Sequence, residues 1–79
     1  MTKEEFAAKL KKQNFRKVTS ANGAKGYTTD MPTATGSYGL TCYAAPDMTG
    51  KKALDFAWAQ MLRRLAKEWG YNGDLTAFR

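Results

Sequence analysis

A chain of 79 residues has few side chains with which to do covalent chemistry. It holds no histidine, so the commonest general acid–base and the commonest nitrogen ligand for metals are both missing. Cys42 has no imidazole to activate it, and its place in the middle of a β-compatible run predicts a small buried hydrophobe. Glu4 and Glu5 are neighbours in what reads as a first helical turn, where carboxylates cap a helix rather than form a catalytic pair. Asp30, Asp47, Asp55, Glu68 and Asp74 are scattered, with no spacing suited to calcium or magnesium. The glycines of Gly36-Ser37-Tyr38-Gly39 lack the following Lys-Ser/Thr of a phosphate loop. These residues predict binding rather than catalysis, with no metal and no cofactor.

Charge is the stronger signal. Thirteen basic residues against seven acidic ones give +6. Residues 1–27 hold seven Lys/Arg and two Glu, a net of +5. Residues 28–50 hold only Asp30 and Asp47, a net of −2, and residues 51–79 return to +3 with six bases and three acids. Positive charge at both ends of a nearly uncharged middle attracts polyanions, nucleic acid first and an acidic protein surface second. A net charge of this size also simply favours solubility.

The remaining composition bounds the class. An apolar share of 43% with 13% aromatics belongs to a folded chain rather than a disordered one, and the length suits one small domain over residues 1–79. No apolar run approaches the roughly 18 residues of a membrane span, and Met1-Thr2-Lys3-Glu4-Glu5 has no signal-peptide core. A single cysteine cannot close an internal disulfide. Together these predict a cytoplasmic protein without a membrane partner.

The elements that must position the charges follow from periodicity. Thr2-Lys3-Glu4-Glu5 spells a capping box, and Phe6, Ala7 and Leu10 make a narrow apolar stripe, so a first helix is expected over about residues 3–13. Asn14 is the expected left-handed stop. Three strands are then expected: Phe15 to Ser20, Gly26 to Met31 and Ser37 to Ala45. Asn22-Gly23 turns the first into the second, and a loop from Pro32 leads into the third. In the third, Tyr38, Leu40, Cys42 and Ala44 share one face. Short links demand an antiparallel meander. After Pro46, with Asp47 or Thr49 as N-cap, a long second helix is expected. It places Leu54, Trp58, Met61, Leu62, Leu65 and Trp69 within about ±60° of one direction, with Trp58 buried against the sheet. Gly70 is the expected C-terminal stop, with Tyr71 making the accompanying apolar contact. The fold class predicted is α+β, in the order α-β-β-β-α.

On that frame the candidate contact residues are Arg16, Lys17 and Lys25 around the first hairpin, and Lys51 and Lys52 at the start of the second helix. Backbone N–H groups at a helix start already favour an anion. Opposite the core face of this helix, Lys52, Phe56, Gln60, Arg63 and Lys67 form one stripe. Its cations can track phosphates and Phe56 can stack, unless Leu75 or Phe78 of the tail covers that ring.

A helix, three antiparallel strands and a helix, with Gly-Lys-Lys-Ala from Gly50 to Ala53 opening the last helix, resembles a double-stranded RNA-binding domain. The resemblance covers most of the chain as topology and one short motif. It implies that Lys51 and Lys52 contact phosphates across the RNA groove and that Ala53 and Ala57 are small packing residues. The family's glycine-proline-histidine loop has no counterpart in Ala21-Asn22-Gly23-Ala24-Lys25, and no Glu or Gln of the first helix clearly matches its minor-groove reader. In size and style the chain also resembles phage-encoded anti-defence inhibitors such as anti-CRISPRs. That implies a host protein as target, met through a site meant for nucleic acid or through an acidic patch. A third reading is a structural piece of an assembly, anchored by Phe56 and Tyr43.

Overall fold

A computed structural model describes residues 1–79 as an α+β fold. Helix α1 (Lys3–Lys12) is followed by strands β1 (Phe15–Thr19), β2 (Lys25–Thr33) and β3 (Gly36–Tyr43), and then by helix α2 (Gly50–Trp69). A single 3₁₀ turn (Thr76–Phe78) lies in the tail. The sheet is antiparallel with β2 in the centre, paired Phe15–Thr29 to Thr19–Lys25 on one flank and Gly26–Tyr43 to Thr33–Gly36 on the other. No helix is long and apolar enough to cross a membrane.

The start of α1 follows its sequence. The Glu5 N–H donates to Thr2 Oγ1 at 3.1 Å, and the Thr2 N–H donates to Glu5 Oε1 at 2.8 Å. Its end does not. No residue but glycine has positive φ, so Asn14 is no left-handed stop; Gln13 turns straight to extended backbone instead (φ −84°, ψ 134°). The reason is tertiary. Thr29, fully buried at the middle of β2, donates its hydroxyl to the Asn14 carbonyl at 2.6 Å, and Gln13 Nε2 donates to Thr29 Oγ1 and to the Asp30 carbonyl, each at 2.6 Å. A buried hydroxyl without a partner costs more than a left-handed turn gains, so the chain leaves the helix where it can serve Thr29.

The first hairpin turns at Ser20–Ala24, with Gly23 at φ +88° supplying the left-handed residue of a three-residue loop. The second differs from expectation. Pro32 lies inside β2 and pairs with Ser37, so the connection shrinks to Ala34 and Thr35. Proline is tolerated because β1 reaches only to Thr29, leaving that flank of β2 without a ladder to break. β3 ends at Tyr43, so Ala45 is outside the sheet.

Helix α2 covers one face of the sheet, and α1 joins the same core through Phe6. Phe15, Tyr27, Thr29, Met31, Leu40 and Cys42 point toward them, and Met61, Leu62 and Leu65 come down from α2. The buried set of α2 differs from the expected one within the same, wider arc. Ala53, Ala57 and Ala66 are buried with Met61, Leu62 and Leu65, whereas Leu54, Trp58 and Trp69 are only half-buried. Trp58 still packs on the sheet, edge-on against Phe15 and Tyr27, and Trp69 packs at the edge of the core. Phe6 is the one buried residue of α1; its ring stacks on Tyr71 at 4.5 Å and meets Trp69 and Phe78 edge-on. The α2 stop behaves as its sequence indicates, with Gly70 at φ +77° and the Tyr71 N–H donating to the Ala66 carbonyl at 2.8 Å.

Thr29→Val, which keeps shape and removes the hydroxyl, is expected to cost about 1–3 kcal/mol in urea unfolding. Combined with Gln13→Ala it should cost less than the sum of the two, because each alone already breaks their shared bond. The capping box has a pH signature. Hydrogen bonds from the Thr2 backbone and hydroxyl hold the Glu5 carboxyl below its ordinary 4.5. A depressed folded-state value means stability present above pH 4.5 and lost as pH falls through that lower value. Carboxyl NMR titration should find the Glu5 midpoint below 4.5, and Thr2→Ala, which removes the hydroxyl but keeps the backbone donor, should raise it only part of the way back.

Candidate functional site

The eight candidate contact residues fall into three groups. Strand alternation turns Lys17 and Thr19 of β1, and Lys25 of β2, toward the helical layer. There they meet the start of α2 in a cavity of about 310 Å³ lined by Lys17, Val18, Thr19, Lys25, Gly50 and Leu54. The Lys25 ammonium donates to Thr19 Oγ1 at 3.4 Å. A second cavity of about 430 Å³ lies one step along the same side of α2, bounded by Lys51, Asp55, Trp58 and Arg79. Gly50 and Lys51, and likewise Leu54 and Asp55, are chain neighbours that each line one of the two cavities, so the cavities adjoin along α2, and the pair is termed the groove. Its walls carry Lys17, Lys25, Lys51 and Arg79 against a single acid, Asp55.

Lys52, Phe56, Arg63 and Lys67 lie elsewhere, all exposed on the outer side of α2. Phe56 is 43% exposed, so the tail does not cover it. Phe78 instead packs on Phe6 and Tyr71, and its carbonyl accepts the Trp58 indole N–H at 2.9 Å. Arg16 is on the opposite face of the sheet, 3.4 Å from Asp30; both are exposed, so the pair contributes little beyond partly neutralising the guanidinium.

The start of α2 is built for openness. Thr49 occupies the N-cap position without a side-chain bond to the helix, and Asp47 lies in the preceding turn. Gly50 has φ +62°, where an L side chain is strained even though the space around it is free. Lysine rather than acid follows, so no side chain of the chain answers the first N–H groups of the helix.

Two further groups, not apparent from the amino-acid order, shape the groove. Arg79 joins it only because the tail folds back, tied by the Trp58–Phe78 bond. Trp58 supplies its aromatic wall, held edge-on against Phe15 at 4.9 Å and Tyr27 at 5.5 Å. The alternation of β1 could have placed Lys17 beside Phe15; nothing in the linear order announces Arg79.

Nucleophilic chemistry finds no support in the surroundings of Cys42. Burial pushes its thiol pKa up, and the opposing charge of Arg64 is the lesser effect, so the thiolate is disfavoured. No three His, Cys, Asp or Glu side chains gather closely enough to hold a metal ion. No family model, no curated protein and no solved structure matches the chain.

The two large aromatics of α2 should separate cleanly in stability. Trp58→Ala removes the edge-on packing against Phe15 and Tyr27 and the tie to the tail, and is expected to cost near the lower end of about 3–5 kcal/mol. Phe56→Ala should change stability by no more than about 0.5 kcal/mol. Denaturant unfolding of the two variants side by side checks both.

Proposed function

We propose that the chain is a non-catalytic module that binds nucleic acid through the groove between β1 and the first half of α2. The observation that carries this reading is that two adjoining cavities along α2 are lined by Lys17 and Lys25 and by Lys51 and Arg79, with only Asp55 to oppose them. Ammonium and guanidinium groups spread along such a channel displace the counterions of a phosphate backbone, which supplies sequence-independent affinity. Trp58 gives the same channel an aromatic wall against which a base can rest. The likeness in topology to double-stranded RNA-binding domains supports the same reading only for Lys51, because Lys52 sits away from the groove.

A second reading rests on Phe56, left 43% exposed among Lys52, Arg63 and Lys67. An uncovered aromatic ringed by cations suits an acidic protein surface, as a small inhibitor of the anti-defence type would require.

Anisotropy titrations with a duplex and a single strand at several salt concentrations test the first reading. Lys17→Ala, Lys25→Ala and Lys51→Ala should each weaken binding to all sequences alike. Each should also flatten the duplex salt slope by roughly 0.9 for every phosphate it leaves without a cation. Lys52→Ala should do much less. Equal effects of Lys51→Ala and Lys52→Ala, or no binding at low salt, would exclude the groove. In the second reading Phe56→Ala, and not the groove lysines, would speed dissociation from the protein target.

A further inference from the structure

The outer edge of β3 is the longest unpaired feature of the molecule. The Ala44 N–H donates to the Lys25 carbonyl at 2.8 Å, which sets the alternation of the ladder. Cys42, Leu40 and Tyr38 therefore exchange their backbone bonds with β2, while Ser37, Gly39, Thr41 and Tyr43 aim their N–H and C=O groups away from the sheet. No turn, cap or side-chain bond of the chain reaches those groups. The other edge is protected, because β1 carries Arg16 and Lys17 and is short. β3 has no such guard. Gly36–Tyr43 contains no charge, no proline and no bulge, and the chain is uncharged from Met31 to Pro46. Tyr38 and Tyr43, two of the four exposed large apolar residues, stand on this strand, one on each face.

We infer that β3 pairs antiparallel with β3 of a second copy of this chain, about a two-fold axis at Leu40, joining two sheets into one of six strands. A second copy is the occupant that fits the register. With Leu40 opposite Leu40, Gly39 meets Thr41 and Ser37 meets Tyr43, so every outward N–H finds a carbonyl. Tyr43 then covers Ser37 of the second copy on the open face, and Tyr38 covers its Cys42 on the helical face. Charge agrees. Arg64, whose charge acts on both Cys42 and Tyr38, and Glu68, whose charge acts on Tyr38, both overlook β3 from α2. The axis sets Cys42 opposite Tyr38 of the second copy, bringing each Arg64 toward the end of the strand that holds the other copy's Glu68. The +6 of each copy opposes the approach, a repulsion that salt screens and that the uncharged stretch from Met31 to Pro46 keeps away from the strand itself.

Sedimentation velocity of the full chain, from low micromolar to roughly 100 µM, should show a monomer–dimer equilibrium. Gly39→Pro removes an outward donor that no bond within the chain uses, at a site where an added Cβ meets nothing within 4 Å. It should weaken the dimer by about tenfold or more, with the thermal melt unchanged at concentrations where both proteins are monomeric. Arg64→Glu, on the exposed side of α2, should also weaken it, and the charge swap Arg64→Glu with Glu68→Arg should restore it. A monomer at every concentration overturns the inference, as does a dimer indifferent to both Gly39→Pro and Arg64→Glu.

Discussion

Everything in the amino-terminal half is registered by one buried hydroxyl. Thr29 is the polar residue enclosed in the core, and it is served only from the junction of α1 and β1, by the Asn14 carbonyl and the Gln13 amide. Slipping β1 by one residue would exchange its two faces and strand that hydroxyl in an apolar core. The same bonds stop α1 at Lys12 and hand the chain to β1 in register with β2. Because α1 buries only Phe6, its attachment rests on this knot and on the ring cluster of Phe6 with Trp69, Tyr71 and Phe78.

A sheet covered on one face divides the molecule's charges by strand parity. Odd-numbered residues of β1 and β2 look toward the helices, which turns Phe15 and Tyr27 into core and carries Lys17 and Lys25 to the rim where α2 begins. Even-numbered Arg16 and Asp30 are left on the bare face, where they neutralise each other. Ala53 and Ala57 of α2 are buried, while Trp58, half-buried and edge-on against Phe15 and Tyr27, also borders the second cavity.

The sequence was most legible where a signal is local. Thr2 and Glu5 cap α1 within three residues of each other, Gly70 closes α2 over one turn, and the alternation through Leu40, Cys42 and Ala44 assigns the buried face of β3. Each depends on backbone geometry that the residues themselves impose. Asn14 and Pro32 misled for the opposite reason. An asparagine suited to a left-handed stop was overruled by a bond to a residue fifteen positions away, and a proline suited to a loop was accepted in a strand whose neighbour ended early.

Of the candidate site, residue type and charge identified the cations, and periodicity separated the outer stripe of α2 from its buried side. The amino-acid order alone therefore determined the element sequence, the antiparallel meander and the excess of basic groups at both ends of the chain. Tertiary structure decided which of those cations meet. Lys51 and Lys52 are adjacent in sequence, yet the turn of about 100° between helical neighbours sends one into the groove and the other to the outer surface. Arg79 reaches the groove only through a tail folded back onto Trp58. Local patterns specify the conformation of each segment, while proximity between segments depends on packing volumes and buried hydrogen bonds that exist only once the chain has folded.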